Sequence, residues 1–278
     1  NDWEWFKVIR LNDKFTVQRK LFDVTERPSR FAGRLMLVYT KVKFLNQRGE
    51  LVATSIGWSV RTERQASQEK GKYAGIEKAK YTPEELGAIE EAYEKEEIRG
   101  ANPRYWEDVN VGDEMGPIAK GPLSMRDIMA WIIGNGSHFM FAHKLALKYR
   151  KRHPAVAMVD RATGQIDVPE LVHMEDSRAG EIGVPGAYDY GSQRMSWLGH
   201  LLTNWQGDDG FTKKLYGSLR MFNVVGDTQW VSGKITKKYV ENGEHLVDCE
   251  ISCINQRGEN TAPGRATIIL PSRSLEGF

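Results

Sequence analysis

The chain has 278 residues, 40% of them hydrophobic, with 39 Lys and Arg against 37 Asp and Glu for a net charge of +2. That size and apolar content supply the core of one large domain or two ordinary ones and exclude a disordered or fibrous chain. The balanced charge and the lack of an apolar run of about 18 residues argue against nucleic acid or a membrane as partner, so an anionic ligand has to be met by local groups.

Residues 3–60 are predicted to be strands, rich in β-branched and aromatic residues and broken by hairpin turns at Asn12-Asp13 and Gln47-Arg48-Gly49. Residues 62–104 are highly charged. There Thr82-Pro83-Glu84-Glu85 is a capping box with proline at the first helical position, opening a surface helix to about Ile98 in a linker laid over a sheet. A new domain begins at Tyr105 with a short strand from Trp106 to Met115. A helix capped by Ser124 and Asp127 follows, apolar through Ile128, Met129, Trp131, Ile132 and Ile133. It breaks at Gly134-Asn135-Gly136, resumes from Ser137 and ends in the basic residues Lys144, Lys148, Arg150, Lys151 and Arg152. His138 and His143 are too irregularly placed for a metal pair, and no metal is expected. Residues 155–170 read as a loop containing Ala162-Thr163-Gly164 and ending at Pro169.

The stretch from His173 to Trp205 organises the rest. A glycine-punctuated turn, Gly183-Val184-Pro185-Gly186, leads to Gly191 at the head of a helix carrying Met195, Trp197, Leu198, Leu201, Leu202 and Trp205. Such a helix belongs inside a protein, with His200 a core residue, and the free N–H groups at its head suit a carbonyl oxygen or an anion. Strands follow to Leu270. They hold the only two cysteines, Cys249 and Cys253, too far apart along a strand to bridge; with no hydrophobic leader, this points to a reducing cytoplasm. These strands repeat the first ones. Phe222-Asn223-Val224-Val225-Gly226-Asp227 echoes the stretch from Phe6 to Asp13, and Asn46-Gln47-Arg48-Gly49-Glu50 recurs as Asn255-Gln256-Arg257-Gly258-Glu259. The first copy has strands but no counterpart of the 186–205 helix.

His173, Glu175, Ala179, Gly183, Pro185, Gly186 and Gly191 stand at the spacing of the pattern H-x-D-x-x-x-A-x-x-x-G-x-P-G with its following glycine. In this, and in Trp106-Glu107-Asp108-Val109, Val111-Gly112-Asp113, Gly226-Asp227-Thr228 and Ser232-Gly233-Lys234, the sequence resembles the MaoC-like (R)-specific enoyl-CoA hydratases and dehydratases. The resemblance implies an α+β hot-dog fold, an antiparallel sheet wrapped round a central helix. It would be complete over residues 105–278, joined through the linker at 62–104 to the strand half of a second hot dog at 1–61.

The resemblance further implies hydration of an enoyl-CoA or dehydration of a 3-hydroxyacyl-CoA, with coenzyme A entering only as part of the substrate. Adding water across an unsaturated thioester needs a base, an acid for Cα and donors for the enolate oxygen. His173 suits the base and the Gly191 N–H the donor. The family's aspartate five residues before its histidine is here Val168. Asp167 is the first substitute, Glu170 and Glu175 are others, and Asn135 is a remnant candidate from the Gly134-Asn135 pair. Tyr188, Asp189 and Tyr190 would lie beside the thioester, implying a bulky, branched or aromatic acyl group, and Lys148 and Arg152 could clamp phosphates. Two other readings stay open, a non-catalytic acyl-CoA-binding or scaffolding subunit and a hot-dog thioesterase. The unpaired half repeat implies a homo- or hetero-oligomer.

Overall fold

The structure is a computed structural model and describes residues 1–29, 33–62, 76–137, 139–160 and 163–275. The expectations for His138, for Ala162 and for linker residues 63–75 lie outside the described residues. Among the described residues no helix is long and apolar enough to cross a membrane.

The strands are β1 (Asp2–Trp5), β2 (Thr16–Ser29), β3 (Gly33–Leu45), β4 (Leu51–Thr62), β5 (Glu114–Lys120), the two-residue β6 (Met158–Val159) and β7 (Ile166–Asp167), β8 (Phe211–Gly217), β9 (Gln229–Glu241), β10 (Glu244–Asn255) and β11 (Asn260–Ile269). Nine of them form one sheet in the order β2-β3-β4-β1-β8-β11-β10-β9-β5, while β6 and β7 pair apart. β1 runs antiparallel to β4 on one side and to β8 on the other. The order is therefore symmetric about the β1–β8 seam, except that among the described residues β5 has no counterpart beyond β2.

The duplication read from the pentapeptides reappears atom for atom. Asn46 Oδ1 accepts the N–H groups of Arg48 and Glu50 at 2.9 and 3.0 Å, as Asn255 Oδ1 accepts those of Arg257 and Glu259, both at 3.0 Å. Gln47 donates to Asp13 and accepts the Lys14 N–H, as Gln256 donates to Asp227 and accepts the Thr228 N–H. The first pentapeptide closes the β3–β4 hairpin and the second the β10–β11 hairpin. The turn at Asn12-Asp13, expected to close a hairpin, does not. Both edges of β1 are taken, by β4 and β8, and the chain crosses from it to the sheet edge at β2.

The helices are α1 (Pro83–Glu94), α2 (Met125–Asn135), α3 (His143–Arg152), α4 (Asp176–Glu181) and α5 (Gly191–Gln206). Thr82 with Glu85 and Ser124 with Asp127 form the expected capping boxes on α1 and α2. α1 stops four residues short of Ile98, and Trp106–Asp108 is a 3-10 turn rather than the start of a strand. The strand begins only at Glu114 because Asn110–Asp113 closes a turn on the Asp113 side chain.

α5 lies across β5, β8, β9, β10 and β11, burying Met195, Leu198, Leu201 and Leu202 against Val231, Ile235, Ile251, Cys253 and Ile268. It is less uniformly apolar than expected, since Gln193, Arg194 and Gln206 are buried as well. His200 is no core residue but faces Glu96, with Nε2 3.0 Å from its carboxylate. Trp3 and Trp5 of β1 stack at 5.4 Å and pack against the same core, fastening the first repeat to the second.

Close approach of helix to sheet depends on two glycines paired across β8 and β11, Gly217 and Gly264. A Cβ on Gly217 would meet Met195 Sδ at 2.4 Å, and one on Gly264 would meet the Tyr216 carbonyl oxygen at 2.6 Å. The first repeat shows the opposite: Val8 is 56% exposed where its counterpart Val224 is 1% exposed under the turn that carries Tyr188. Val17, Leu21, Phe22 and Val24 of edge strand β2 are also exposed.

The glycine contact is open to test. Gly264→Ala forces side chain against backbone and is expected to cost about 1–3 kcal/mol, read as a lower urea midpoint. Gly134→Ala, in open space near the end of α2, should leave the midpoint unchanged or raise it.

Candidate active site

Pro169 fixes the entry to the site. It starts a 3-10 turn, Pro169–His173, and holds the preceding Val168 extended. A 3-10 turn repeats every three residues, so Glu170 and His173 lie on one side of it. α4 follows, anchored by the buried guanidinium of Arg178, which meets Asp160 at 2.9 Å, Glu181 at 3.0 Å and Glu175 at 3.8 Å. The glycine turn then folds back over α4, where Asp176 accepts the Ala187 N–H at 2.9 Å. Tyr188 bridges to Val224, and the Asp189 N–H bonds to the Asn223 carbonyl, so the chain enters α5 in a strand-like run fastened to the β8–β9 connection.

These constraints pin the His173 ring. Its Nδ1 lies 2.9 Å from the Tyr188 carbonyl oxygen, which can only accept, so Nδ1 carries the proton and Nε2 keeps its lone pair. The ring stacks on Tyr190 at 3.8 Å and meets the Tyr188 edge at 4.4 Å; Trp131 of α2 stacks on the far side of Tyr190 at 5.5 Å. Burial lowers the His173 pKa below its ordinary 6.5, outweighing the bond to Tyr188. The imidazole is thus neutral at neutral pH with Nε2 as a base.

Two further polar groups converge here. Glu170 has one carboxylate oxygen buried with no hydrogen-bond partner among the described residues, and burial raises its pKa. The Tyr190 hydroxyl is likewise buried and unpartnered, and burial with the nearby Glu170 charge raises its pKa. Tyr190 is the N-cap of α5 but gives no side-chain cap, so the N–H groups at Gly191 keep their donors. A Cβ on Gly191 would stand 2.4 Å from Leu219 Cδ1.

The other sequence candidates sit differently. Asp189 is not at the surface of a cleft. It is 1% exposed, its carboxylate held by Arg194 through Nε at 2.8 Å and a terminal nitrogen at 2.7 Å. Asp167 lies in β7 and turns one oxygen back onto the Val168 N–H at 2.8 Å. Glu175 is exposed and directed to Arg178, and Asn135 is exposed at the end of α2. Lys148 and Arg152 are exposed on α3. Sequence reasoning passed over Trp131, Asp176 and Arg194. Only Arg194 left a signal, a basic residue in an otherwise apolar helix, five residues after an acid.

Replacing Arg194 by Met leaves the Asp189 carboxylate buried without its counter-charge and is expected to cost about 3–5 kcal/mol, visible as a large fall in Tm. The depressed His173 pKa has its own signature. Below 6.5 the unfolded chain binds a proton that the folded chain refuses, so stability falls as pH drops through that value. Wild type should therefore lose more stability on acidification than His173→Gln in paired denaturation curves.

No protein-family model and no curated protein matches the sequence. Solved structures do match in fold. A MaoC-like dehydratase, 16% identical, aligns with 98% of this chain and 74% of its own at a TM-score of 0.62. A MaoC domain protein from Chloroflexus aurantiacus J-10-fl, 14% identical, aligns with 98% of this chain and 75% of its own at 0.55. The full-length peroxisomal multifunctional enzyme type 2 of Drosophila melanogaster, 10% identical, aligns with 97% of this chain and 36% of its own at 0.51. With its antiparallel sheet wrapped on α5 and the site turn at the head of that helix, the chain has the hot-dog fold of the MaoC-like dehydratases.

Proposed function

We propose that the protein hydrates an enoyl-CoA thioester, or dehydrates the corresponding 3-hydroxyacyl-CoA, at the site built on His173. The observation that carries the reading is the neutral imidazole. Its Nδ1–H is spent on the Tyr188 carbonyl, which leaves the lone pair on Nε2, and it stands beside a helix head with no side-chain cap. In the forward direction Nε2 takes a proton from water as the water oxygen bonds to Cβ, while the Gly191 N–H receives the charge growing on the thioester oxygen. Dehydration is the reverse.

The aromatic walls formed by Tyr188, Tyr190 and Trp131 favour a bulky, branched or aromatic acyl group. The exposed basic residues of α3, Lys148 and Arg152 among them, are the cations we assign to the coenzyme A phosphates. A polypeptide partner, a second copy or another subunit, would cover the bare face at Val8 and β2; a monodisperse monomer in sedimentation would contradict that part.

The test is loss of enoyl absorbance with a panel of short, branched and aromatic enoyl-CoA esters. Turnover is expected, falling about 10²–10⁴-fold in kcat for His173→Ala. Gly191→Ala should fold, because Leu219 can swing aside, yet lose rate as the new methyl crowds the donor. Release of free thiol would indicate a thioesterase instead, and binding without turnover a scaffolding subunit.

A further inference from the structure

We infer that Glu170 is the acid that protonates Cα in this site, the residue on the same side of the 3-10 turn as His173. The inference rests on the hydration reading above and gives a residue to the step that reading leaves open. Water supplies a hydroxyl to Cβ and, in net terms, a proton to Cα, so a second group has to deliver that proton while Nε2 holds the one it has taken.

Four side chains compete for the role, and their surroundings separate them. Asp167 lies before the turn, in the β6–β7 ribbon opposite Met158, and its carboxylate is engaged by the next residue's N–H. Glu175 is exposed beyond the turn and drawn to Arg178. Asn135 carries an amide, which has no acidic proton to give. Glu170 precedes His173 by one 3-10 repeat, so the two residues stand on the same side of the turn. One Glu170 oxygen is buried with no bond from any described residue, as is the hydroxyl of Tyr190, whose ring is stacked on His173. Among the described residues no arginine or lysine is paired with Glu170, in contrast to Glu175, Glu181 and Asp189. Burial favours its neutral, proton-bearing form.

The step balances without any further reagent. The water oxygen bonds to Cβ as its proton passes to Nε2 of His173, and the π electrons of the Cα–Cβ bond move into the thioester enolate. The enolate collapses as Cα takes the proton from the Glu170 carboxyl group. The proton on His173 then passes to the Glu170 carboxylate, restoring both groups, and one water has been added.

The experiment compares Glu170→Gln, Asp167→Asn and His173→Ala on an enoyl-CoA ester that the wild type hydrates, each variant first shown to be folded by circular dichroism. Glu170→Gln is expected to lose about 10²–10⁴-fold in kcat with KM little changed, and Asp167→Asn to keep wild-type kcat. The titratable group set against Glu170 is Tyr190, from the run into α5, with His173 stacked on its ring. Of the groups here only Glu170 has to be protonated with a carboxylate's pKa, so the fall in wild-type rate toward high pH should vanish in Glu170→Gln. In Glu170→Ala, added acetate should restore part of the rate. Wild-type kcat in Glu170→Gln with His173→Ala inactive would overturn the assignment and leave the hydratase reading standing. Loss in Asp167→Asn with Glu170→Gln unaffected would also overturn it, and a wild type that hydrates no ester would overturn both.

Discussion

Burying the Arg194 guanidinium and the Asp189 carboxylate costs several kcal/mol for each ion, and the site turn is held by the bonds that offset this cost. Both oxygens of Asp189 are met by Arg194, and a third guanidinium nitrogen reaches the carbonyls of Met221 and Thr261. One side chain on the first turn of α5 therefore joins the run entering the helix, the β8–β9 connection and β11. The Tyr188 carbonyl that orients His173 belongs to the residue just before Asp189, and Tyr190 just after it. The orientation of the His173 ring is thus tied to a buried ion pair.

The same logic runs through the duplicated sheet. Asp13 and Asp227 accept from equivalent glutamines, Gln47 and Gln256, but only in the second repeat is the aspartate fully buried and held in addition by two arginine nitrogens at 2.8 Å. The second copy is covered by the 173–190 turn and by α5, whereas Val8 and its neighbours in the first copy lie bare. Identical strand and turn chemistry produces two environments, because the element that lays a dry core over the sheet accompanies only one of them among the described residues.

The strands, capping boxes and central helix were legible because they depend on local rules: alternation, a serine or threonine three residues before an acid, and apolar residues at helical spacing. So was the glycine-marked turn that follows His173. The β1–β8 seam was not, since antiparallel pairing between residues more than 200 apart leaves no mark in either segment. Asp189 was misjudged for a similar reason. Its position beside the helix head suggested a substrate contact, and only the fold shows its carboxylate turned inward to Arg194. Glu170 stood among several acids in the sequence; the 3-10 geometry of a five-residue turn sets it apart.

Polar groups at this site are therefore of two kinds. Asp176 and Arg194 bond the backbone as well as an opposite charge, and Arg178 draws three carboxylates together, while one Glu170 oxygen and the Tyr190 hydroxyl have no partner among the described residues and lie against an aromatic wall. The account turns on the state of the imidazole. Nitrogen NMR of labelled protein, with His173 assigned by its loss in His173→Gln, reads that state directly. A neutral ring at neutral pH, protonated at Nδ1 and bare at Nε2, is the predicted result. An imidazolium, or a ring protonated at Nε2, would contradict the assignment of His173 as the base.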